Sequence, residues 1–491
     1  MSSGEAIFTA ADLERFAAAT GDRNPLHLDL RFAQQTHYGE LVVHGVLGVL
    51  AAFGQLGPAV SRVVELQVGF HHPMTLGSRV RITSDLAAET LRLRSAGLTV
   101  CTVRYRLAEE PLTAGEPGDG TPPGAVTRAE PEAEARVMDI DALAALGAEV
   151  GTHRSDTAAV REILGNAALP EHLVATLAWA GFWTGMRTPG RNAVLCGLRV
   201  TFSSLVAAGP EIQYRTQPPD VCPRTGFVRV NAVVAGRVHA TVAIESFLRQ
   251  PAPQATAASI AAHLRPGKRL AGRTTLVVGG SRGLGRALSL GLMSQGARVL
   301  AVSRAAAAHV AQMRDELGDG AERLHGIEAD ATDAVALRIA LPPDLTRLDG
   351  LVLCSTPRLA SLPLHIDASE IAAKYVNDCV RHCWDPLAAC RDLLVKDAFV
   401  VIVSSRAVAD PPMLWPHYVA AKGALEGFAT YLARNFPWRV VVTRPPRMWT
   451  DLTSAPLSHV SAIATEAVAA EVVMALLEDG DGAVFEPVYL G

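Results

Sequence analysis

The chain has 491 residues, too many for one hydrophobic core, and 49% are hydrophobic against 19% charged, which excludes a disordered protein and calls for several packed domains. Its 45 basic and 49 acidic residues leave a net charge of −4, so the balance offers nothing to nucleic acid. Seven cysteines without a C-x-x-C pair exclude a disulfide scaffold and suit a reducing, cytoplasmic compartment, and an N-terminus carrying Glu5, Asp12, Glu14 and Arg15 lacks the basic start and apolar run of an export signal.

Residues 1–108 read as a polar helix, a long apolar helix, and alternating strand-like runs at 63–70, 78–85 and 98–107. The apolar run 41–60 approaches the length of a bilayer span, but His44 and Gln55 are costly in lipid, and Gly45, Gly48, Gly54 and Gly57 suit close packing. It is therefore read as a core helix, and no membrane is expected. Ahead of it, Gly21-Asp22-Arg23-Asn24-Pro25-Leu26-His27 sets a carboxylate and an imidazole five residues apart across an Asn-Pro turn, a pair able to share acid–base work. Such a pair also occurs as a helix cap beside a surface histidine, so the residues alone leave both readings open. At the start of the apolar helix, the N–H of Gly45 could accept an oxygen on which negative charge builds.

A stretch rich in Pro, Gly and acidic residues, 109–134, reads as a linker, and a second, 249–267, holds prolines, an Ala-rich run and Pro-Gly. Between them, 136–248 repeats the earlier order: a helical stretch at 174–186, then strand-like runs at 195–203, 211–216, 226–235 and 240–248. Two halves of one apolar helix and an antiparallel sheet suggest a sheet wrapped round a central helix and doubled. From 270 to 491 the pattern changes to apolar β runs (274–278, 298–302, 350–353, 399–403, 439–443) alternating with helices, the sign of a doubly wound parallel sheet.

The first of those runs leads into Gly279-Gly280-Ser281-Arg282-Gly283-Leu284-Gly285, a strand, glycine turn and helix start whose N–H groups and dipole can hold a pyrophosphate. The next ends at Ser303-Arg304, where an acidic residue would favour NAD; Arg304, with Arg282, suits a 2′-phosphate and so NADPH, against the alternative of two solvated arginines. Tyr418 and Lys422 lie four apart on one helix face, with an ammonium placed to favour release of a phenol proton, and Ser405 follows the strand 399–403. Cys379, His382 and Cys383 share a helix and are read as packing; no metal is expected.

The chain from about 270 onward resembles the short-chain dehydrogenase/reductase family, and within it the 3-oxoacyl thioester reductases, on Gly279, Gly283, Gly285, Asp330, Asn377, Ser405, Tyr418-x-x-x-Lys422 and Thr450-Asp451. The resemblance implies a catalytic tetrad of Asn377, Ser405, Tyr418 and Lys422, with Asn377 holding a relay water and Asp330 near the adenine. Two departures are Cys354-Ser355-Thr356 after the fourth strand, where Asn-Ala-Gly is usual, and Pro445-Pro446 in place of Pro-Gly. Gly-Asp-x-Asn-Pro-x-His together with His44-Gly45 resembles the MaoC-like, (R)-specific hydratases and dehydratases of the hot-dog fold. That implies catalysis by Asp22 and His27, with Asn24 and Gly45 lining the site. Residues 136–248 resemble a related repeat without the motif, expected to be non-catalytic.

The expected architecture is thus an N-terminal double hot-dog followed by a Rossmann-type doubly wound parallel sheet. The expected function is reduction of 3-oxoacyl thioesters with NADPH to the (R)-3-hydroxyacyl form and dehydration to 2-enoyl thioesters, on an acyl carrier protein or CoA, in a homodimer or homotetramer. Hydration and oxidation in acyl degradation is the alternative, and a non-catalytic acyl-binding scaffold a third.

Overall fold

The computed structural model describes residues 2–112, 127–128, 133–205, 211–236, 238–318, 320–478 and 488–490. Of the expected linker 109–134, residues 113–126 and 129–132 lie outside the described residues. The chain forms two compact units, one of Met1–Pro251 and Ala455–Leu457, the other of Ala252–Ser454 and Ser458–Gly491.

In the first unit, helix Ala10–Thr20 starts at a capping box between Thr9 and Asp12 and ends at Gly21, whose φ of 75° sharply redirects the chain. The apolar run becomes helix Gly45–Phe53, with Val46, Leu47, Val49, Leu50 and Phe53 all buried, followed by a 3-10 turn, Gly54–Arg62. Strands Val63–Phe70, Val80–Asp85, Thr90–Ser95 and Leu98–Leu107 lay their alternate apolar residues on that helix. Helix Glu171–Phe182 is buried along nearly its whole length and is wrapped in turn by Ala193–Leu205, Val238–Leu248, Phe227–Gly236, Glu211–Thr216 and Glu149–Arg154.

The two sets of strands join where Val63–Phe70 pairs antiparallel with Ala193–Leu205, Glu65 opposite Thr201 and Gly69 opposite Gly197. One sheet of twelve strands among the described residues and one continuous core result, which is the double hot-dog. Each fully buried Leu or Phe in that core contributes ~1.5–3 kcal/mol, so Leu50→Ala would destabilise it by roughly 2–5 kcal/mol. Two strands have little local signal: Ser2–Ala6 holds no β-branched residue and forms by pairing with Val80–Asp85, and Glu149–Arg154 by pairing with Glu211–Thr216.

The second unit is a parallel sheet with strand order Leu324–Glu328, Arg298–Ser303, Thr274–Val278, Leu348–Leu353, Leu394–Val403, Arg439–Thr443, Val488–Leu490. Its central strands are buried on both faces: Val277, Val352 and Val401 enter one apolar layer, Leu276, Leu351 and Val400 the other. The order reverses between Thr274–Val278 and Leu348–Leu353, which opens a crevice at the carboxyl ends of the strands. The segment 249–267, read as a linker, is packed from Ala252 onward. Thr256 and Ser259 cap helix Ala257–Ala261, Ile260 and Leu264 are buried in the second core, and Arg286 donates to the Ala255 carbonyl at 2.6 Å. Its Ala-rich composition suited close helix packing as well as a tether. No described helix is long and apolar enough to cross a membrane, and all seven cysteines are free thiols.

Candidate active sites

The turn at Gly21 carries Asp22 inward, where it is 3% exposed. Burial pushes its carboxyl up to about 7, against the pull of the Asn24 N–H, which donates to Oδ1 at 3.3 Å. His27 Nδ1 lies 2.6 Å from the Val42 carbonyl; because a carbonyl only accepts, Nδ1 holds the proton and Nε2 keeps its lone pair in the neutral ring. Desolvation lowers His27 to about 4, against that bond. His44 stacks on His27 with ring centroids 3.8 Å apart, donates from Nε2 to the Asp22 backbone carbonyl at 3.1 Å, and is driven well below the usual histidine range by burial and then by His27. Donor atoms of Asp22, His27 and His44 lie within 4.8 Å of one another. At neutral pH this is an uncharged imidazole beside a carboxyl that still holds much of its proton: a base and an acid in one dry pocket.

Gly45 is the first residue of its helix, so its N–H has no intrahelical acceptor, and Phe70 fills the space a side chain would take, 2.8 Å from a built Cβ. Asn24, expected to line the site, spends its side chain on structure. Its Oδ1 accepts from Leu26 N at 3.0 Å, and its Nδ2 donates to the carbonyls of Gly185 at 2.7 Å and Gly190 at 3.2 Å, tying the two halves together. The second half also walls the carboxyl: a Cβ on Gly185 would stand 2.6 Å from Asp22 Oδ1, and one on Gly181 3.4 Å from Oδ2. Sequence reading carried His44 within the His-Gly motif without giving it a role, and missed Gly181 and Gly185, whose signal was two glycines four apart in an otherwise bulky apolar helix.

In the second unit, the glycine turn packs its backbone where side chains would stand. A Cβ on Gly279 (φ 80°) would lie 2.9 Å from Ser355 N, and one on Gly285 2.0 Å from the Gly279 carbonyl. Gly283 has φ 52° and opens helix Gly283–Ser294, and Ser281 is buried beside it. Ser303 Oγ is buried with no hydrogen-bond partner, and Arg304 lies exposed at the end of the same strand. Burial works to raise Asp330, but two bonds from Thr332 and the charge of Arg304 hold it below its usual range. A glycine cradle at a helix N-terminus, an orphaned hydroxyl and a nearby cation fit a dinucleotide phosphate. Arg282 is engaged, donating to Asp451 Oδ2 at 3.1 Å.

Helix Pro416–Asn435 holds Tyr418 half-buried and Lys422 buried, with Lys422 Nζ 5.6 Å from the Tyr418 ring centroid and donating to the Val403 carbonyl at 2.8 Å. Ser405 lies two residues beyond strand Leu394–Val403 and caps the turn Arg406–Val408, its Oγ accepting from Ala407 N at 3.2 Å. Behind them Glu426, a residue the sequence did not single out, accepts Ser404 Oγ at 2.7 Å and both arms of Arg444. Asn377 does not join this group. It is exposed on helix Ser369–Cys390, while Tyr375 and Cys379, two residues to either side and so across the helix, are buried. On this helix Cys379, His382 and Cys383 sense the Lys422 charge. The resemblance placed Asn377 by local sequence, but the helix phase is set by the buried Tyr375, Cys379 and Cys383.

Residues 273–458 match the short chain dehydrogenase family model, and residues 3–96 the MaoC like domain. Cyclohexanol dehydrogenase of Rhodococcus sp. (strain TK6) is 30% identical over 197 residues, 35% of this chain and 72% of that protein. The chain belongs to the short-chain dehydrogenase family. Ahead of its short-chain dehydrogenase domain it carries a MaoC-like domain. That domain is 32% identical over 98 residues to 3-hydroxybutyryl-CoA dehydratase of Methylorubrum extorquens, 19% of this chain and 62% of that protein. It is 35% identical over 89 residues to (R)-specific enoyl-CoA hydratase of Aeromonas caviae, 17% of this chain and 65% of that protein. The match therefore spans less than two thirds of either hydratase relative. Together these findings make the chain a fusion of a MaoC-like domain with a short-chain dehydrogenase domain.

Proposed function

We propose that this short-chain dehydrogenase fusion reduces 3-oxoacyl thioesters with NADPH to (R)-3-hydroxyacyl thioesters and dehydrates these to 2-enoyl thioesters, in a biosynthetic pathway of the fatty-acid or polyketide type. The observation that carries the reading is that one chain holds both an acid–base pair in a desolvated pocket, Asp22 and His27, and a Ser405–Tyr418–Lys422 group beside a phosphate cradle.

In the reductase, Gly279, Ser281, Gly283 and Gly285 would hold the pyrophosphate, with Ser303 and Arg304 at the 2′-phosphate and Asp330 toward the adenine. The bound nucleotide supplies hydride to the substrate carbonyl carbon. Ser405 and Tyr418 hold the carbonyl oxygen, Tyr418 gives it a proton as charge builds, and Lys422, fixed by Val403, stabilises the phenolate left behind. In the dehydratase, His27 Nε2 takes the Cα proton, the Gly45 N–H meets the enolate oxygen, and Asp22 protonates the departing β-hydroxyl, which leaves as water. A proton passed from the imidazolium to the carboxylate restores both groups.

The hydratase relatives are named for CoA thioesters, which favours CoA as carrier and keeps the degradative direction in view; Arg304 favours reduction. The protein is read as cytoplasmic and as a homodimer or homotetramer. Purified protein incubated with a short 3-oxoacyl thioester, on CoA and on acyl carrier protein, with NADPH or NADH, decides by cofactor oxidation and product mass. NADPH consumption with an enoyl product supports the reading. Failure to reduce, with NAD-dependent oxidation of a 3-hydroxyacyl-CoA, replaces it with the degradative one.

A further inference from the structure

The carboxyl of Asp22 is kept dry by a piece of chain far from it in sequence. Trp183–Arg187 forms a π turn at the end of helix Glu171–Phe182, closed by Thr188 N to the Trp183 carbonyl at 2.9 Å. Gly185 in that turn faces Asp22 Oδ1 and accepts the Asn24 amide. Such a turn has no regular helix or strand to hold it. What holds it is a buried ion cluster: Arg187, 1% exposed, donates to Glu149 Oε2 at 2.7 Å through Nη2 and at 3.2 Å through Nε. Arg136 donates to Glu149 Oε1 at 2.9 Å, its backbone N–H to the Met186 carbonyl at 2.9 Å, and its carbonyl accepts Arg191 N at 2.8 Å. Glu149 itself is pinned by its N–H to Thr216 Oγ1 at 3.1 Å.

We propose that the Glu149–Arg187–Arg136 cluster of the non-motif half is a positioning device for Asp22: it clamps the Trp183–Arg187 turn so that Gly181 and Gly185 exclude water from the carboxyl. This rests on the reading of Asp22 as the acid of the dehydratase. A buried ion pair is a poor source of stability compared with apolar packing, but its fixed bidentate geometry suits holding an irregular turn in one register. The groups that could compete for control of Asp22 are His27 and His44 on its own half, and His153, stacked on Phe182 and 4.0 Å from a built Gly21 Cβ. Burial holds all three below the usual histidine range, so near neutral pH dryness governs the carboxyl.

The test uses the full-length protein and Arg187→Met, which keeps bulk and removes the clamp. The Asp22 titration is read directly as the carboxyl band lost in an infrared difference against Asp22→Asn, and by activity as the alkaline limb of the hydration rate on a short 2-enoyl thioester. The proposal expects both midpoints to fall by about one pH as water reaches the carboxyl, with the far-ultraviolet circular dichroism unchanged as a check on folding. A lowered rate with both midpoints where they were makes the cluster merely structural and overturns it. If Arg187→Met does not fold, Glu149→Gln, which preserves size and an acceptor for Arg187, is judged by the same two midpoints. Because the infrared band needs no catalysis, an unchanged hydration rate in Asp22→Asn would remove the functional reading of Asp22 and leave the clamp to be decided by its own titration.

Discussion

Asp22–His27 and Tyr418–Lys422, the two pairs proposed to handle protons, are made in opposite ways. The first is tuned by exclusion of water: the carboxyl rises to about 7 and the imidazole falls to about 4, both chiefly through burial. The second places a buried ammonium next to a half-buried phenol, one helical turn apart on a single face. The difference is one of reach. The Tyr418–Lys422 pair is complete within five residues and one strand end, whereas the dryness of Asp22 depends on Gly185, to whose carbonyl Asn24 bonds across 161 residues.

The largest effects should separate the two pairs. Asp22→Asn should reduce hydration of a 2-enoyl thioester by ~10²–10⁴-fold and leave ketone reduction within about twofold, and Tyr418→Phe should do the reverse; a single variant that abolishes both rates would show that the pairs do not act separately. Next in size, Arg304→Ala should weaken NADPH binding by ~10–100-fold and NADH binding by less than about twofold, as followed by nucleotide fluorescence. Equal losses for both nucleotides would remove Arg304 from the 2′-phosphate.

The pH dependence sharpens the contrast. With a protonated Asp22 and a neutral His27 required, dehydration should rise from about 4 and fall above about 7. Stability follows the same groups. A carboxyl raised from 3.8 to about 7 favours the folded state fully below 3.8 and loses that contribution as pH rises toward 7. His27, lowered from 6.5 to about 4, contributes above 6.5 and loses it as pH falls toward 4. Asp22→Asn should therefore unfold at higher denaturant than the parent at pH 8, by no more than roughly 4 kcal/mol, and lose that advantage at pH 4. An advantage independent of pH would contradict the burial account. The smallest effect is expected at Asn377→Ala, less than about twofold on reduction, since an exposed side chain across the helix from Cys379 has nothing to give Lys422. Loss of activity there would return Asn377 to the site.

Where a grouping is local the sequence showed it. The glycine turn, Tyr418-x-x-x-Lys422, Asp22 with His27, and strands such as Val63–Phe70 and Thr274–Val278 are each written in a few adjacent residues. What was hidden depends on partners brought from elsewhere: strand Ser2–Ala6, made by Val80–Asp85; the role of Asn24, spent on Gly185 and Gly190; and the phase of helix Ser369–Cys390, where apolar residues on one face turn Asn377 away. The stretch 249–267 misled because alanine-rich sequence serves a tether and a tightly packed helix equally.

The pairing of Val63–Phe70 with Ala193–Leu205 has a consequence for how the first unit endures dilution. Two separate chains meeting along such a seam would part at low concentration, and any pocket shared across it would dissolve with them. Here the second wall of the Asp22 pocket is tethered to the first by the peptide chain itself, so each half always meets the other at the high local concentration of a linked segment. Hydratase activity per molecule should then stay constant however dilute the protein becomes, even if the assembly around it comes apart.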